Sequence, residues 1–258
     1  MRLYLDFFAM NLKSQMQYRL SFLMTVFGQF LIYFTSFLGI SFLFTRFNTV
    51  EGFTFQQVLL CFAVVGMAFS LAEMFGRGFD MFDRMLGNGE FDRILVRPRS
   101  VIFMTLASQM DFARLGRLLQ AVFMLCYAVP RSGVVWTWDK ILTLCLMILC
   151  GSAVFFGLFI VHAAFSFFTV EGLEVMNILT YGGQEHGRYP FSVYGKGVLR
   201  LLTYIVPLAL FQYYPLLYLL DRNQSALYML SPLLSFLFLA PCYAFFCMGL
   251  RRYKSTGS

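Results

Sequence analysis

The stretch Leu20–Phe44 reads LSFLMTVFGQFLIYFTSFLGISFLF and holds no charged side chain. About 20 apolar residues rising roughly 1.5 Å each cross the roughly 30 Å of hydrocarbon in a bilayer, so this run predicts a transmembrane helix. The rest of the chain has the same character. Of its 258 residues, 59% are hydrophobic, 19% aromatic and 13% charged, and 33 are phenylalanine. An ordinary soluble domain carries about 25% charged residues. A soluble chain of this length would have no way to bury so much apolar surface in one core and still cover its exterior.

Working outward, residues 1–19 have helical periodicity: Arg2, Asp6, Lys13 and Gln17 fall in one arc and Leu5, Phe8, Leu12 and Met16 in another. That predicts a helix lying in the membrane interface ahead of the first span. Toward the C-terminus, further spans are predicted over Phe55–Phe75, over a stretch ending near Val129, over Ile141–Phe168 and over Ala226–Leu250. The third span begins unusually, because Asp111, Arg114 and Arg117 interrupt it. Trp136 and Trp138 in the 130–140 loop read as an interfacial anchor.

Residues 169–220 admit two readings. Hydropathy selects Val198–Leu220 as the fifth span, yet Pro207 and Pro215 would each remove a backbone hydrogen bond from it. Alternatively Thr169–Tyr189 crosses as a polar helix, and 190–220 dips into the outer leaflet and returns, since broken helices persist where protein buries them. Either way the total is six crossings, an all-α integral membrane fold in one transmembrane domain over 1–258.

Charge sets the orientation. Segments 1–19, 77–100 and 251–258 hold Arg2, Lys13, Arg19, Arg77, Arg84, Arg93, Arg97, Arg99, Arg251, Arg252 and Lys254, whereas loops 45–54 and 130–140 hold only Arg46, Arg131 and Lys140. Both termini are therefore predicted to be cytoplasmic. Arg188, Lys196 and Arg200 count against the re-entrant version, which puts them outside. The net charge of +7 forms no basic stripe or tail, so nucleic acid is not an expected partner.

Signatures of catalysis are missing from the sequence. There is no GxxxxGK[ST], HExxH or GxSxG, and the only histidines, His162 and His186, stand far apart. The six cysteines lie inside apolar runs without CxxC spacing and read as small buried hydrophobes. No enzymatic activity and no metal site are expected. Among the intramembrane charges, Glu73 reads as snorkelling near the end of span two. Asp111 and Arg114, three apart, pair on one helical face. They line a substrate path or a subunit interface, or simply start an amphipathic helix; Glu171 and Glu174 also share a face and either cap a helix at the membrane interface or line a cavity.

The most informative polar stretch is Phe79–Ser100, FDMFDRMLGNGEFDRILVRPRS. Asp80 and Arg84 sit four apart, Phe79, Phe82 and Leu86 make an apolar edge, and Gly87-Asn88-Gly89 breaks the helix. A second short helix is predicted from Glu90, with Phe91, Ile94 and Leu95 as apolar knobs and Arg97-Pro98-Arg99 as its stop. This is either a solvated loop or a rigid element that docks on another protein.

Here the chain resembles permeases of the ABC-2 type of ABC transporter, of the branch whose operons often encode two permeases beside one ATPase. The resemblance rests on Gly89, Glu90, Phe91, Asp92, Leu95 and Pro98, on the proline-bearing segment 189–220, and on the order of spans. It implies that 87–98 contains a coupling helix seated in a dimeric cytoplasmic ABC ATPase, and that 190–220 is an outer re-entrant element. It also implies a second permease, identical or related, a lipid environment in the inner (plasma) membrane, and export as the direction. No cofactor is expected in this chain; Mg-ATP belongs to the ATPase. The polar fifth crossing, with Glu171, Glu174, Asn177 and Gln184, departs from the family's pattern. A non-transporting scaffold or sensor anchor would share the spans without the ATPase.

Overall fold

The computed structural model describes residues 2–169 and 174–253. Among these the chain is helical, with only an isolated bridge between Val50 and Phe53. Helix α1 (Arg2–Gln15) leads through one tight turn into α2 (Arg19–Arg46), followed by α3 (Phe55–Asp80). Two short helices, α4 (Phe82–Gly87) and α5 (Glu90–Leu95), precede α6 (Val101–Ser108) and α7 (Leu115–Ala128). Then come α8 (Trp138–Ser166), α9 (Glu174–Leu179), α10 (Tyr181–His186), α11 (Gly195–Tyr204) and α12 (Leu208–Leu219). The described chain closes with α13 (Ala226–Phe236) and α14 (Leu239–Arg252).

Among the described residues five helical stretches are long and apolar enough to cross a membrane: Leu3–Arg46, Phe55–Gly87, Phe112–Arg131, Trp138–Ser166 and Ala226–Arg252. A sixth exists if Phe191–Tyr204 and Leu208–Leu219, bent by 115°, are taken together.

Helix α3 is the axis of the molecule. It starts at a capping box in which the Thr54 N–H donates to Gln57 Oε1 at 3.2 Å, satisfying donors that the first helical turn leaves free. From Val58 to Val65 every side chain is buried, because α7 flanks α3 on one side and α8 on the other. Helices α12, α13 and α14 pack on α8. Helix α2 leans on α7 and fully buries only Tyr33 and Ile40, leaving its other apolar side chains half-buried or exposed, as a lipid-facing helix would. Lipid gives helices no hydrophobic reason to associate, so close backbone contact matters more. At the α2–α7 crossing Gly116 faces the carbonyl of Val26, and a Cβ there would overlap it.

At one end of the bundle, α12 is tied down. Lys140 Nζ lies 2.8 Å from both carboxylate oxygens of Asp221, and the Tyr218 hydroxyl donates to Asp139 Oδ2 at 2.6 Å. The Arg222 guanidinium stands 4.1 Å from the Phe53 ring centroid and donates to the Gly52 carbonyl. The end of α12 therefore meets the start of α8 and the α2–α3 loop.

Several boundaries differ from the sequence expectation. Helix α3 continues to Asp80, beyond the predicted end at Phe75, because the polar residues in its last turns find partners. The third span's interruption is a true break: Gln109 is extended, Asp111 N–H donates to Met74 O at 3.1 Å, and a tight turn at Phe112–Arg114 starts a new helix. The last predicted span is made of two helices, α13 and α14. Val198–Leu220 is not one straight helix, since it folds sharply ahead of Pro207. Thr169–Tyr189 is not one helix either. Its described part is α9 and α10, joined at Thr180.

Candidate functional site

The sequence treats Glu73, Asp111 and Arg114 as separate problems; the fold makes them one. Glu73 is fully buried on α3. Its Oε2 lies 2.7 Å from Arg117 and its Oε1 lies 3.0 Å from Arg114 and 3.3 Å from Arg77. Arg77 also pairs with Asp80 at 2.5 Å and stands 3.9 Å from Asp111. Arg114 closes the circuit on Asp111 at 3.0 Å and donates to Gln29 of α2 at 3.2 Å. The Tyr181 hydroxyl at the start of α10 donates to Asp80 Oδ2 at 2.9 Å. Three guanidiniums thus face three carboxylates, so the cluster is neutral and links α2, α3, α7 and α10.

A buried, charge-balanced network of this kind is poor at binding a further charge but good at fixing geometry. Removing one partner would leave an uncompensated charge, which is the costly case. The chain extends upward as well: Arg117 lies 5.5 Å from the Tyr33 ring, and Arg188 lies 5.7 Å from the same ring on its way to an ion pair with Glu185. Cation–π contacts of this sort contribute most when desolvated.

The second constellation is the segment after α3. The second predicted short helix is present as α5, but the first is split: Phe79 and Asp80 end α3, Met81 breaks it, and only Phe82–Gly87 forms α4, so Asp80 pairs with Arg77 and not with Arg84. The turn between α4 and α5 uses Gly89 at φ +69°, a left-handed conformation that glycine adopts without a Cβ clash. Phe91 does not project outward. It is fully buried in an aromatic cluster with Phe82, Phe167 and Tyr253, the rings edge-on at 4.9, 5.5 and 5.2 Å. Phe246 of α14 joins through Phe82 and Phe167. Ile94 is buried too, whereas Leu95 is 39% and Val96 84% exposed. Asp92 accepts from the Tyr253 hydroxyl at 3.1 Å; burial and this bond push the Tyr253 phenol pKa up. Glu90, Arg93, Arg97 and Pro98 are exposed. Arg84, Arg93, Arg97 and Arg99 make no ion pair among the described residues.

Of the other sequence candidates, Glu174 is exposed at the start of α9 and joins neither constellation. Glu171 lies outside the described residues. Sequence reasoning missed Glu73 as a hub and Arg117 and Tyr181 as its partners. The signal available was Glu73 and Arg77 at i and i+4, facing an unexplained surplus of arginine at 114 and 117.

A bundle with this hydropathy, centred on a buried neutral charge network, defines a multi-pass helical membrane protein. Residues 30–257 match the family described as ABC-2 family transporter protein, and the chain belongs to that family. It is accordingly a transmembrane permease component, as the resemblance implied. No curated protein and no solved structure matches it.

Proposed function

We propose that this chain forms part of the membrane pathway of an ATP-driven exporter, coupled to a separate cytoplasmic ABC ATPase dimer through residues 87–98. Mg-ATP binds in that ATPase, and a second permease, identical or related, completes the pathway. The observation that carries this reading is the two-sidedness of α5. Phe91 fastens it to α4 through Phe82 and to the residues that follow α8 and α14, Phe167 and Tyr253, and Ile94 is buried beside it, while Leu95, Val96 and the arginines stand outward. A push on the outer side is thereby passed to the membrane helices rather than absorbed by a loose loop. The route continues along α3 into the Glu73 network, which grips α7 and α10.

In this proposal α1 is the interfacial helix, strapped to α6 by Asn11 Nδ2 on Ala107 O at 3.4 Å. The fifth crossing is the polar segment 169–189, and 190–220 is re-entrant. The support is positional. Tyr181 bonds to Asp80 near the end of α3, whereas Arg188 stands 5.2 Å from the Phe62 ring nearer its start, so 181–188 ascends along α3. Helix α12 then ends at the opposite end of the bundle, beside Lys140. Both termini face the cytoplasm of a cell bounded by this inner membrane.

The test is ATPase activity of the assembled transporter in lipid. Val96→Asp and Leu95→Asp should uncouple hydrolysis from the permease without lowering the permease's thermal stability. Coupling unaltered by either would remove 87–98 from the ATPase contact. Isolation of the chain with no ATPase, even after cross-linking from position 96, would instead favour the non-transporting scaffold.

A further inference from the structure

Between α2, α3 and α7 lies a cavity of about 210 Å³, separate from both constellations, walled by Phe30, Phe34, Phe37, Leu59 and Phe123. The Phe30 and Phe34 rings are nearly parallel at 6.4 Å, and Phe123 meets Phe30 edge-on at 6.4 Å. Phe34 and Phe123 are exposed, Phe123 by 66%, so the cavity opens on the surface that lipid covers. One lining residue breaks the pattern. Gln120 is only 2% exposed, its Nε2 reaches no better acceptor than the Met124 thioether at 3.4 Å, and its Oε1 has no partner among the described residues.

An acyl tail would fill such a crevice, but it has no proton to give an amide oxygen. A buried acceptor left without a donor is destabilising, and a ligand that supplies one recovers that loss. No charged side chain lines the cavity, so a charged headgroup would enter unpaired. The volume is below the ~300–1,000 Å³ of pockets that enclose whole drug-sized ligands, so it takes one ring or one short length of chain while the remainder stays in the bilayer.

We infer that this cavity is a binding site for a neutral, lipid-soluble hydrogen-bond donor, an alcohol or a secondary amide, which gives its proton to Gln120 Oε1 and lays its apolar body between Phe34 and Phe123. The ligand reaches the site sideways from the bilayer. That it is also cargo rests on the transporter reading; that it binds does not.

The experiment uses the full chain in lipid nanodiscs without any ATPase, so a failure of coupling leaves its result untouched. The probes are a long-chain primary alcohol bearing a diazirine and its methyl ether, which has the same body but no donor. After illumination, α2 and α7 peptides should carry about fivefold more alcohol than ether, the ratio expected of one modest hydrogen bond. Gln120→Met should erase that preference while leaving ether labelling as in the parent chain, which also shows that the cavity is intact. If Gln120→Met lowers ether labelling, Gln120→Asn, with its amide withdrawn by one methylene, replaces it and should likewise lose the preference. Equal labelling of the parent chain by both probes would reduce the cavity to an ordinary lipid crevice and overturn the site. Labelling by neither, with disulfide formation between Phe123→Cys residues of two copies, would overturn it by assigning this face to a subunit contact.

Discussion

Glu73 is fully buried, and its two oxygens face three guanidiniums. The energetics of such a cluster are asymmetric. A single loss leaves a buried charge unpaired, at about 3–5 kcal/mol, whereas replacing both members of a pair by apolar groups is often nearly neutral. Glu73→Met or Arg117→Met alone should therefore lower thermal stability in detergent strongly, and the double variant should recover much of it. Additive losses would mean that the 2.7 Å pair between them is not the dominant contact. The pairing of Asp111 with Arg114 was legible from their spacing, and it is present at 3.0 Å. The role of Glu73 was not, because it depends on α7 standing beside α3, a contact between residues distant in sequence. Periodicity reports which face of a helix is apolar and says nothing of which helix that face meets.

At the scale of elements, the lesson of 79–100 is about which side of a short helix is which. The second helix, the glycine break and the proline stop were readable from residue type. The knobs were misassigned at Phe91 and Ile94, both buried; the aromatic partners that draw Phe91 inward, Phe167 and Tyr253, come from far along the chain. This gives a contrast within one helix. Phe91→Ala should cost stability on the order of 3–5 kcal/mol, as large-to-small changes at buried aromatic positions do, and should impair coupling only through that loss. Val96→Ala should leave stability alone. Differential scanning of both variants separates anchor from contact; similar unfolding temperatures would contradict the anchor role. The α2–α7 crossing offers a second check of the same kind. Gly116→Val sets a side chain against the Val26 carbonyl, so it should prise α2 from α7 and raise protease sensitivity in α2. An unchanged digestion pattern would show that the two helices need no such close approach.

At the scale of the whole molecule, the open question is one of sidedness, and the charges and the contacts pull in opposite directions. Arg188, Lys196 and Arg200 prefer the cytoplasm by the usual bias of basic residues. The ties of α12 to Lys140, Asp139 and Gly52 hold residues 218–222 at the end where α2 passes into α3, the end that the charge of the other loops predicts to be external. Helix α12, with 12 residues, spans about 18 Å at 1.5 Å per residue, too short to cross roughly 30 Å alone. Its start is therefore inside the bundle, where Phe211 packs on Gly151. The chain must reach that interior point through α11, which meets α12 at a 115° bend rather than in line. Contacts made at van der Waals distance outweigh a statistical bias that several other basic residues already satisfy, so α11 should approach from the outside. In a background with the native cysteines replaced, Lys196→Cys should react with a membrane-impermeant maleimide added to intact cells, as should Asn48→Cys, while Arg93→Cys should react only after permeabilisation. If Lys196→Cys instead behaves like Arg93→Cys, the segment 174–189 does not cross, Val198–Leu220 is a bent fifth span, and the basic residues have decided the topology after all.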